Sequence, residues 1–370
     1  MADTVVSADL VVTQWADDEF YSYVRANPLK GLMGSDENSI IQVKEDLTKE
    51  AGDSIWFALV NRLTGAATVD DDELHNNEER LGNSGCQVFV NQARHGVVVG
   101  QFEKIKTKID LLKAARVMLR LWNMEQLRDL FLARMFTPVI DGITTYAAAT
   151  EVQKDAWLAA NNPAVANQRI LFGSAKANYS GDHSVDLVTI DPINDDFHQD
   201  IVRLLKRMAQ SCDPLIRPVV TEAEGAGKDR FVVLCGSLAF RDLEANFETV
   251  EASVVARGED ARIFSGGDLK IGNVIVKEIP EMDRTPAAGG CWLADVGNAG
   301  TTDVEPVFFL GAQALCMAWA AHMSVNTDQW DYGQKRGVAV SEVRGCKKAV
   351  FSSTSRDHGM ARGYVSAMGD

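Results

Sequence analysis

The sequence lacks features that mark several large classes of proteins. Basic residues are the minority, because 37 Lys and Arg face 52 Asp and Glu, which gives a net charge of −15. That sign of charge disfavours a protein that neutralises nucleic-acid phosphates over a broad surface. The six cysteines form no CxxC pair and have no close histidine, so neither a zinc site nor a local disulfide framework is encoded. We therefore expect free thiols, as in a reducing cytoplasm.

A basic start and long apolar runs are also missing. The first basic residue is Arg25, whereas a secretory signal begins with positive charge. The most apolar segment, residues 307–321, is shorter than the roughly 20 residues that cross a bilayer and contains Gln313. We predict no membrane association. Because this segment is rich in Ala, Leu, Met and Gln, we interpret it as a buried helix.

Motifs of common enzyme classes are absent. In the nearest approach to a phosphate-binding loop, residues 225–228, Glu222 and Asp229 stand where a Walker loop needs Gly and Ser or Thr. The acidic run from Asp70 lacks the ligand alternation and the glycine of a calcium loop. The absence of these motifs disfavours an enzyme, and we predict no cofactor and no metal. An α+β enzyme stays an alternative, because carboxylates brought together by folding leave no local trace in sequence.

What is present indicates an ordinary globular composition with an unusual layout. The 370 residues are 46% hydrophobic, and their number suggests two or three structural units. Residues 1–52 have little periodicity and are interpreted as an arm. Strand-like segments at residues 54–60, 86–90 and 97–99 flank an acidic excursion, so residues 53–102 are predicted to form an extended hairpin loop.

Helices and further strands follow. Residues 104–136 contain no Gly or Pro and precede Pro138, which predicts one helix of about 50 Å with a capping pair at Thr107 and Asp110. A second helix is predicted over residues 195–212, with Asp195 and Asp196 favouring its N-terminal dipole. Strands are predicted at residues 231–235, 269–276 and 337–344, and a short helix after Ser237.

The hairpin and the long helix are expensive to order alone. Fixing a residue costs about 1–2 kcal/mol of backbone entropy, and a two-stranded ribbon is marginal in water. We therefore expect these elements to need neighbouring copies that cover their apolar sides.

Several blocks, in this order, resemble the major capsid proteins of tailed bacteriophages of the N-four type, within the Hong Kong capsid fold. The resemblance spans roughly residues 28–140 and 230–352. The blocks are LTKEAGDSIWFALVNRLTGA, LHNNEERLG, VFVNQARHGVVVGQ, FVVLCGSLAFRDLEAN, IFSGGDLKIGNVIVKEIPEM, VFFLGAQALCMAWA and DYGQKRGVAVSEVRGCKKAVF.

The resemblance implies an α+β shell subunit with an N-terminal arm, an extended loop, a peripheral domain built on a long spine helix, and an axial domain. Mapped onto this sequence, these are residues 1–52 (arm), 53–102 (loop), 103–219 (peripheral domain with spine helix 104–136), 220–330 (axial domain) and 331–370 (return strand and tail). Identical copies would form hexamers and pentamers of an icosahedral shell around double-stranded DNA, without sequence-specific binding. A portal protein and decoration or scaffolding proteins are further implied partners, with synthesis in the host cytoplasm.

Charge segregation suggests one contact between copies. Residues 70–79 hold six acids, whereas six bases outweigh two acids in residues 103–120. We hypothesise that the loop of one copy docks near the spine start of another; the alternative is that both segments are solvated faces. The candidate residues are Asp70, Asp71, Asp72, Glu73, Glu78, Glu79, Lys104, Lys106, Lys108, Lys113, Arg116 and Arg120. A bacterial nanocompartment shell stays a second alternative function.

Overall fold

A computed structural model describes residues 27–46, 52–60, 69, 83–106, 111–163, 168–221, 228–251, 269–298, 300–352 and 354–369. Within these residues the chain mixes helices and strands, so the predicted α+β class is confirmed. The α-helices are α1 (Gln101–Lys106), α2 (Leu111–Met135), α3 (Glu151–Asn161), α4 (His183–Val188), α5 (Gln199–Ser211) and α6 (Ser237–Glu251). Short 3-10 turns lie at Lys30–Leu32, Lys176–Asn178, Pro280–Asp283 and Pro286–Ala288.

The strands of the described residues fall into three sheets. A five-stranded sheet has the order β1 (Met33–Gly34), β2 (Ile41–Lys44), β13 (Leu315–Trp330), β14 (Lys335–Lys348) and β5 (Asn91–Gly100). A larger mixed sheet has the order β6 (Ile170–Phe172), β15 (Met360–Ser366), β12 (Thr302–Leu310), β8 (Lys228–Cys235), β10 (Val274–Glu278) and β9 (Leu269–Ile271), with β11 (Leu293–Gly297) beside β12 and β7 (Val219–Thr221) beside β8. The third sheet is a hairpin of β3 (Ser54–Val60) and β4 (Asn83–Phe89).

The mixed sheet separates two apolar clusters. Alternate residues of its strands point to opposite faces. Phe308 and Tyr364 belong to the cluster that also contains residues of α2 and α3. Phe309 and Val365 belong to the cluster that contains residues of α5 and α6. Because both faces are covered, β12 and β15 are buried along almost their whole length.

The buried helix predicted over residues 307–321 is wrong. The segment holds the end of β12, a turn at Gly311 and the start of β13. A Cβ at Gly311 would lie 2.3 Å from the Arg217 carbonyl oxygen, so the backbone passes here at a distance that only glycine allows. Pairing of β13 with β2 and β14 overrides the helix propensity of Ala and Met, and a run buried on both faces shows no strand alternation.

The predicted spine helix is confirmed over Leu111–Met135, where it ends before Pro138. Its 25 residues span about 37 Å at 1.5 Å per residue. The start differs from the prediction, because α1 begins at Gln101, directly after β5. Residues 107–110 lie outside the described part, so the capping pair Thr107 and Asp110 and the continuity of one long helix stay predictions.

Helix α5 begins four residues later than predicted, with His198 at its N-cap position. Asp195 does not serve the helix dipole. Its carboxylate instead accepts hydrogen bonds from the Ser174 and Asp191 backbone N–H groups, at 2.6 and 2.9 Å. The Asp195 side chain therefore stabilises the backbone ahead of the helix, and not the helix N-terminus to which the prediction assigned it.

One face of the β3–β4 hairpin is buried against other residues of the same chain. Ile55, Phe57, Leu59, Cys86 and Val88 are buried against residues of the five-stranded sheet and the segment after it: Cys316, Ala318 and Ala349. The expectation that the ribbon needs a neighbouring copy is therefore wrong for this inner face. Local sequence patterns do not reveal this long-range contact, because the partner residues lie more than 200 positions away.

Two pairings bear on the predicted domain limits, which stay predictions. Strand β5, placed in the extended loop by the sequence, pairs along its length with β14 in the five-stranded sheet. Strand β15, placed in the return to the peripheral domain, pairs with β12 of the predicted axial segment. The residues after about 331 thus contribute to both large sheets.

Candidate inter-subunit surfaces

The structure describes only part of the predicted charged contact. Asp70, Asp71, Asp72, Glu73, Glu78, Glu79 and Lys108 lie outside the described residues, as does the side chain of Lys104. Lys106 is exposed on α1, where its Nζ lies 3.2 Å from the Glu103 carboxylate and 4.1 Å from the centre of the Phe102 ring. Lys113 and Arg116 are exposed on α2, and Arg120 is half-buried. The predicted docking of the acidic run on these bases stays a prediction.

Helix α2 changes character along its length. We call residues 111–123 its N-terminal half and residues 124–135 its C-terminal half. In the N-terminal half, Val117, Met118 and Leu121 have 45%, 60% and 40% of their surfaces exposed. In the C-terminal half every apolar side chain is at least partly buried, and Leu127 and Phe131 are fully buried. The N-terminal half therefore presents an apolar strip beside its basic residues.

The exposed strip was not identified from the sequence. Buried positions of α2 recur every four residues from Ala115 and Leu119 onward, whereas the helix was predicted from the absence of Gly and Pro over residues 104–136. Val117, Met118 and Leu121 fall on other faces of the same helix. The available signal was the presence of apolar residues outside the buried stripe of the helix, because an ordinary surface helix has a polar outer face.

Buried polar groups fix α2 to the rest of the chain. Asn123 donates to the Glu342 carboxylate on β14 at 3.0 Å, and Arg344 pairs with the same carboxylate at 3.1 Å. Farther along, Arg128 is 4% exposed and pairs with Glu281 at 2.7 Å and with Asp129 at 2.9 Å. These contacts hold the helix in one position, because a buried charge without its partner is strongly unfavourable.

The outer face of the hairpin is a second exposed apolar surface. Trp56 and Phe89 are 60% and 49% exposed, on the side opposite the buried Phe57. Trp56 lies across Gly85, where an added Cβ would come within 2.8 Å of the indole ring. The missing side chain at Gly85 thus lets the indole lie flat against the ribbon.

Polar contacts hold the hairpin on the sheet. Lys44 of β2 donates from Nζ to the Trp56 carbonyl oxygen at 3.0 Å and lies 5.0 Å from the centre of the Phe57 ring. Gln313 donates to the Ala58 carbonyl oxygen at 3.2 Å. The described part of the hairpin is therefore oriented by its own chain before any second copy is present.

The connection between β13 and β14 forms an aromatic tip. Tyr332 is fully exposed and Trp330 is 39% exposed. Asp331 and Tyr332 have φ values of 58° and 51°, so the chain reverses through a left-handed turn that ends at Gly333. The tip is a third surface where large apolar side chains meet solvent.

The core beneath these surfaces contains a buried ion pair. Lys348 Nζ lies 2.9 Å from the Asp357 carboxylate, donates to the Thr137 carbonyl oxygen at 2.8 Å and lies 5.0 Å from the centre of the Trp157 ring. Burial lowers the pKa of Lys348 to about 8, although the charge of Asp357 acts in the opposite direction. Arg362 stacks on the same indole at 4.6 Å. This network joins β14, β15 and α3.

Among the residues that the structure describes, no group of three or more His, Cys, Asp or Glu could hold a metal ion. No helix in the same ranges is both long enough and apolar enough to span a bilayer. The cleft between hairpin, α2 and β14 has a volume of about 260 Å³ and is lined by Phe89, Arg134 and Lys347. Large exposed apolar side chains, in contrast, occur on the N-terminal half of α2, on the outer face of the hairpin and at the tip between β13 and β14.

Comparison with known proteins gives these surfaces a context. The capsid asymmetric unit of cyanophage Pam1 is 31% identical, with a TM-score of 0.81 over 94% of both chains. The capsid of Ralstonia phage GP4 is 23% identical, with a TM-score of 0.69 over 91% of this chain and 90% of that one, and supports the fold. The major capsid protein of Pseudomonas phage KPP25 is 25% identical over 356 residues, which are 91% of this chain and 90% of that protein.

The fold is thus that of a capsid subunit, a class of structural proteins. The family described as phage capsid protein matches residues 3–367, so the chain belongs to this family. The resemblance predicted from the sequence is confirmed, as is the role of major capsid protein of a tailed phage. Its place is the virion capsid, where copies assemble into a shell of capsomers. Family membership favours this role over the nanocompartment and enzyme alternatives.

Proposed function

We propose that this chain closes an icosahedral shell of hexamers and pentamers around double-stranded DNA, and that its role is noncatalytic. The observation that carries the proposal is the N-terminal half of α2, where an exposed apolar strip lies beside Lys113, Arg116 and Arg120. Contacts of a few kcal/mol per copy allow reversible correction during assembly. Repetition of the same contact around a closed shell then makes the whole particle stable.

We further propose that the acidic run at residues 70–79 of one copy docks against the basic start of α2 in another. Opposite charge steers encounter and fixes register, while the apolar strip supplies contact area. The hairpin supports this arrangement, because its inner face is attached to its own sheet and its ends at Val60 and Asn83 lead into the acidic run.

Charge reversal tests the docking. We expect Asp70→Lys, Asp71→Lys and Asp72→Lys together to reduce particle yield and to change its dependence on salt, measured by negative-stain microscopy and size-exclusion chromatography. Combining them with Lys113→Glu, Arg116→Glu and Arg120→Glu is expected to restore part of the yield, because the attraction is rebuilt with opposite signs.

A matched control carries Asp36→Lys and Glu37→Lys, which reverse two exposed acids elsewhere on the chain. This variant is expected to assemble normally. Assembly and salt dependence that stay unchanged in the triple variant would remove the docking proposal, while the shell role would stand on particle formation alone.

The contents of the particle test the DNA proposal. We expect nuclease-protected double-stranded DNA in particles from infected cells, of mixed sequence, because an acidic chain does not grip phosphates over a broad surface. Protein cargo in place of DNA would indicate the nanocompartment alternative. A portal protein and decoration or scaffolding proteins are proposed as further partners, with synthesis in the host cytoplasm, and co-purification with the particles identifies them.

A further inference from the structure

Two cysteines from distant parts of the sequence meet where the hairpin contacts the five-stranded sheet. Cys86 lies on β4 and Cys316 on β13, and both belong to the apolar cluster under the inner face of the hairpin. Cys86 is 2% exposed and Cys316 is fully buried. The Cys86 thiol donates to the Lys348 carbonyl oxygen at 3.9 Å, and the neighbouring Cys316 thiol has the largest effect on its pKa. All six cysteines of the chain are free thiols in this structure.

The register of the sheet separates this pair from a third cysteine nearby. Cys316 is opposite Lys347 across the β13–β14 ladder, whereas Cys346 is opposite Met317. Residues directly opposite each other share one face of a sheet, and neighbours along a strand point to opposite faces. Cys346 accordingly belongs to the cluster beneath α2, on the other side of the sheet. Geometry therefore selects Cys316 as the partner of Cys86.

The surroundings of the pair polarise it. The neighbouring Cys316 thiol, with the charge of Lys347 and the Val350 N–H, lowers the pKa of Cys86 to about 7 against the opposing effect of burial. The pKa of Cys316 is raised by its interaction with Cys86 and by burial. Cys86 is therefore the more acidic thiol of the pair and the one that attacks first. Thiolates are the nucleophiles of thiol–disulfide exchange.

We propose that Cys86 and Cys316 are a redox site whose disulfide ties the hairpin covalently to the five-stranded sheet under oxidising conditions. The oxidant is a low-molecular-weight disulfide. The Cys86 thiolate attacks one of its sulfurs, and the other half leaves as a thiolate. Cys316 then loses its proton and attacks the Cys86 sulfur, which releases the second half. The two cysteines lose two electrons, and the reagent becomes two thiols by taking up the protons that the cysteines gave up.

Burial sets the conditions under which this happens. The sulfur of Cys86 is covered in the closed hairpin, so the first attack requires the hairpin to lift from the sheet. In a reducing compartment the thiols persist and the hairpin is held by its noncovalent contacts, such as that of Lys44 with the Trp56 carbonyl oxygen. After transfer to oxidising surroundings, the link closes and the hairpin can no longer separate from β13.

The experiment uses the full chain, purified in dithiothreitol and then incubated with oxidised glutathione at pH 8. We expect the number of thiols titrated after denaturation to fall from the six of the sequence to four, with a mass loss of two hydrogen atoms. Peptide mapping is expected to recover Cys86 linked to Cys316. The oxidised protein should unfold at a higher temperature than the reduced one, and dithiothreitol should reverse the shift.

Variants give the matched controls. Cys346→Ser removes the neighbouring thiol from the other face of the sheet and is expected to leave the Cys86–Cys316 link intact. Cys316→Ala is expected to keep all five remaining thiols free. Lys44→Met, which removes one contact that holds the hairpin down, is expected to speed closure of the link severalfold, because the hairpin opens more often.

Two results would overturn the proposal. One is a count of six free thiols in the folded wild-type chain after an exposure to oxidised glutathione that links cysteines in the denatured chain. The other is a link from Cys86 to Cys346, which would contradict the assignment by sheet face. Both readouts are made on the wild-type chain, so neither depends on a variant folding, and particle formation is measured separately.

Discussion

The two halves of helix α2 make different use of similar residues. In the C-terminal half, Leu127 and Phe131 are fully buried and Arg128 is paired inside the chain. In the N-terminal half, Leu121 is 40% exposed and Arg116 is exposed. One helix is thus anchored in the core at one end and exposes apolar and basic side chains at the other. Under the proposed function, this division separates the stability of the subunit from the stability of the shell.

The largest effect is expected from truncating the same residue type in each half. Leu127→Ala leaves a cavity in the core and should cost about 2–5 kcal/mol of unfolding free energy. Leu121→Ala should cost less than about 0.5 kcal/mol, because the side chain is already partly in solvent. Denaturant unfolding measures both variants.

Assembly is expected to depend on Leu121 even though folding hardly does. Folded Leu121→Ala subunits should need a higher protein concentration than folded wild-type subunits to form particles. If the two leucine variants lose equal unfolding free energy, the division of the helix is wrong.

The free energy of unfolding is expected to change by a few kcal/mol with pH because of one buried carboxyl group. Burial, together with the charge of Asp283, raises the pKa of the fully buried Glu305 to about 8. Because the pKa is higher in the folded chain than in the unfolded one, the protonated carboxyl stabilises the fold below about pH 4.5. This contribution is lost as the pH rises towards 8, at about 1.4 kcal/mol per unit of pKa difference.

The variant Glu305→Gln isolates this effect. Unfolding free energies measured from pH 5 to pH 8 should fall more steeply for the wild type than for the variant. Asp303→Asn, two residues away on the same strand at a half-buried position, is the matched control and should retain the wild-type slope. Parallel curves for wild type and Glu305→Gln would refute the assignment of the titration to Glu305.

A smaller effect is expected from the two arginines. Arg128→Ala removes charged hydrogen bonds to Glu281 and Asp129 and should cost about 2 kcal/mol of unfolding free energy. Arg116→Ala should leave the unfolding free energy within about 0.5 kcal/mol of the wild type and alter only the salt dependence of assembly. A loss of stability in Arg116→Ala equal to that in Arg128→Ala would count against the comparison.

The smallest effect on the subunit is expected at the outer face of the hairpin. Trp56→Ser removes a side chain that is 60% exposed, and should change the unfolding free energy by less than about 0.5 kcal/mol. Phe57→Ser, one residue away on the buried face, should destabilise the chain strongly, because it places a hydroxyl group in an apolar cluster. Thermal unfolding of the two variants distinguishes the faces.

Local pattern was enough to predict much of the fold. The absence of Gly and Pro before Pro138 predicted α2, and apolar strand-like segments predicted β3, β8 and part of β14. The helix predicted over residues 307–321 is wrong, because a strand buried on both faces lacks the alternation of apolar and polar residues that identifies strands. The contact of Cys86 with Cys316 could not be predicted, since only the folded sheet brings the two positions together.

The candidate surfaces were predicted less completely. Net charge along the chain identified Lys113 and Arg116, because charge is visible residue by residue. Exposure of Val117, Met118 and Leu121 depends on which helix face meets the sheet, and that is decided by polar partners such as the buried Glu342 and the half-buried Glu281. Sequence reasoning found the charges of the surface and missed its apolar part.

Oxidative footprinting of Met118 tests most directly whether shell contacts cover the N-terminal half of α2. Met118 is 60% exposed in the single chain, and Met135 on the same helix is fully buried. We expect Met118 to be oxidised readily in dissociated subunits and protected in assembled particles, with Met135 protected in both. Equal oxidation of Met118 in subunits and particles would contradict the account.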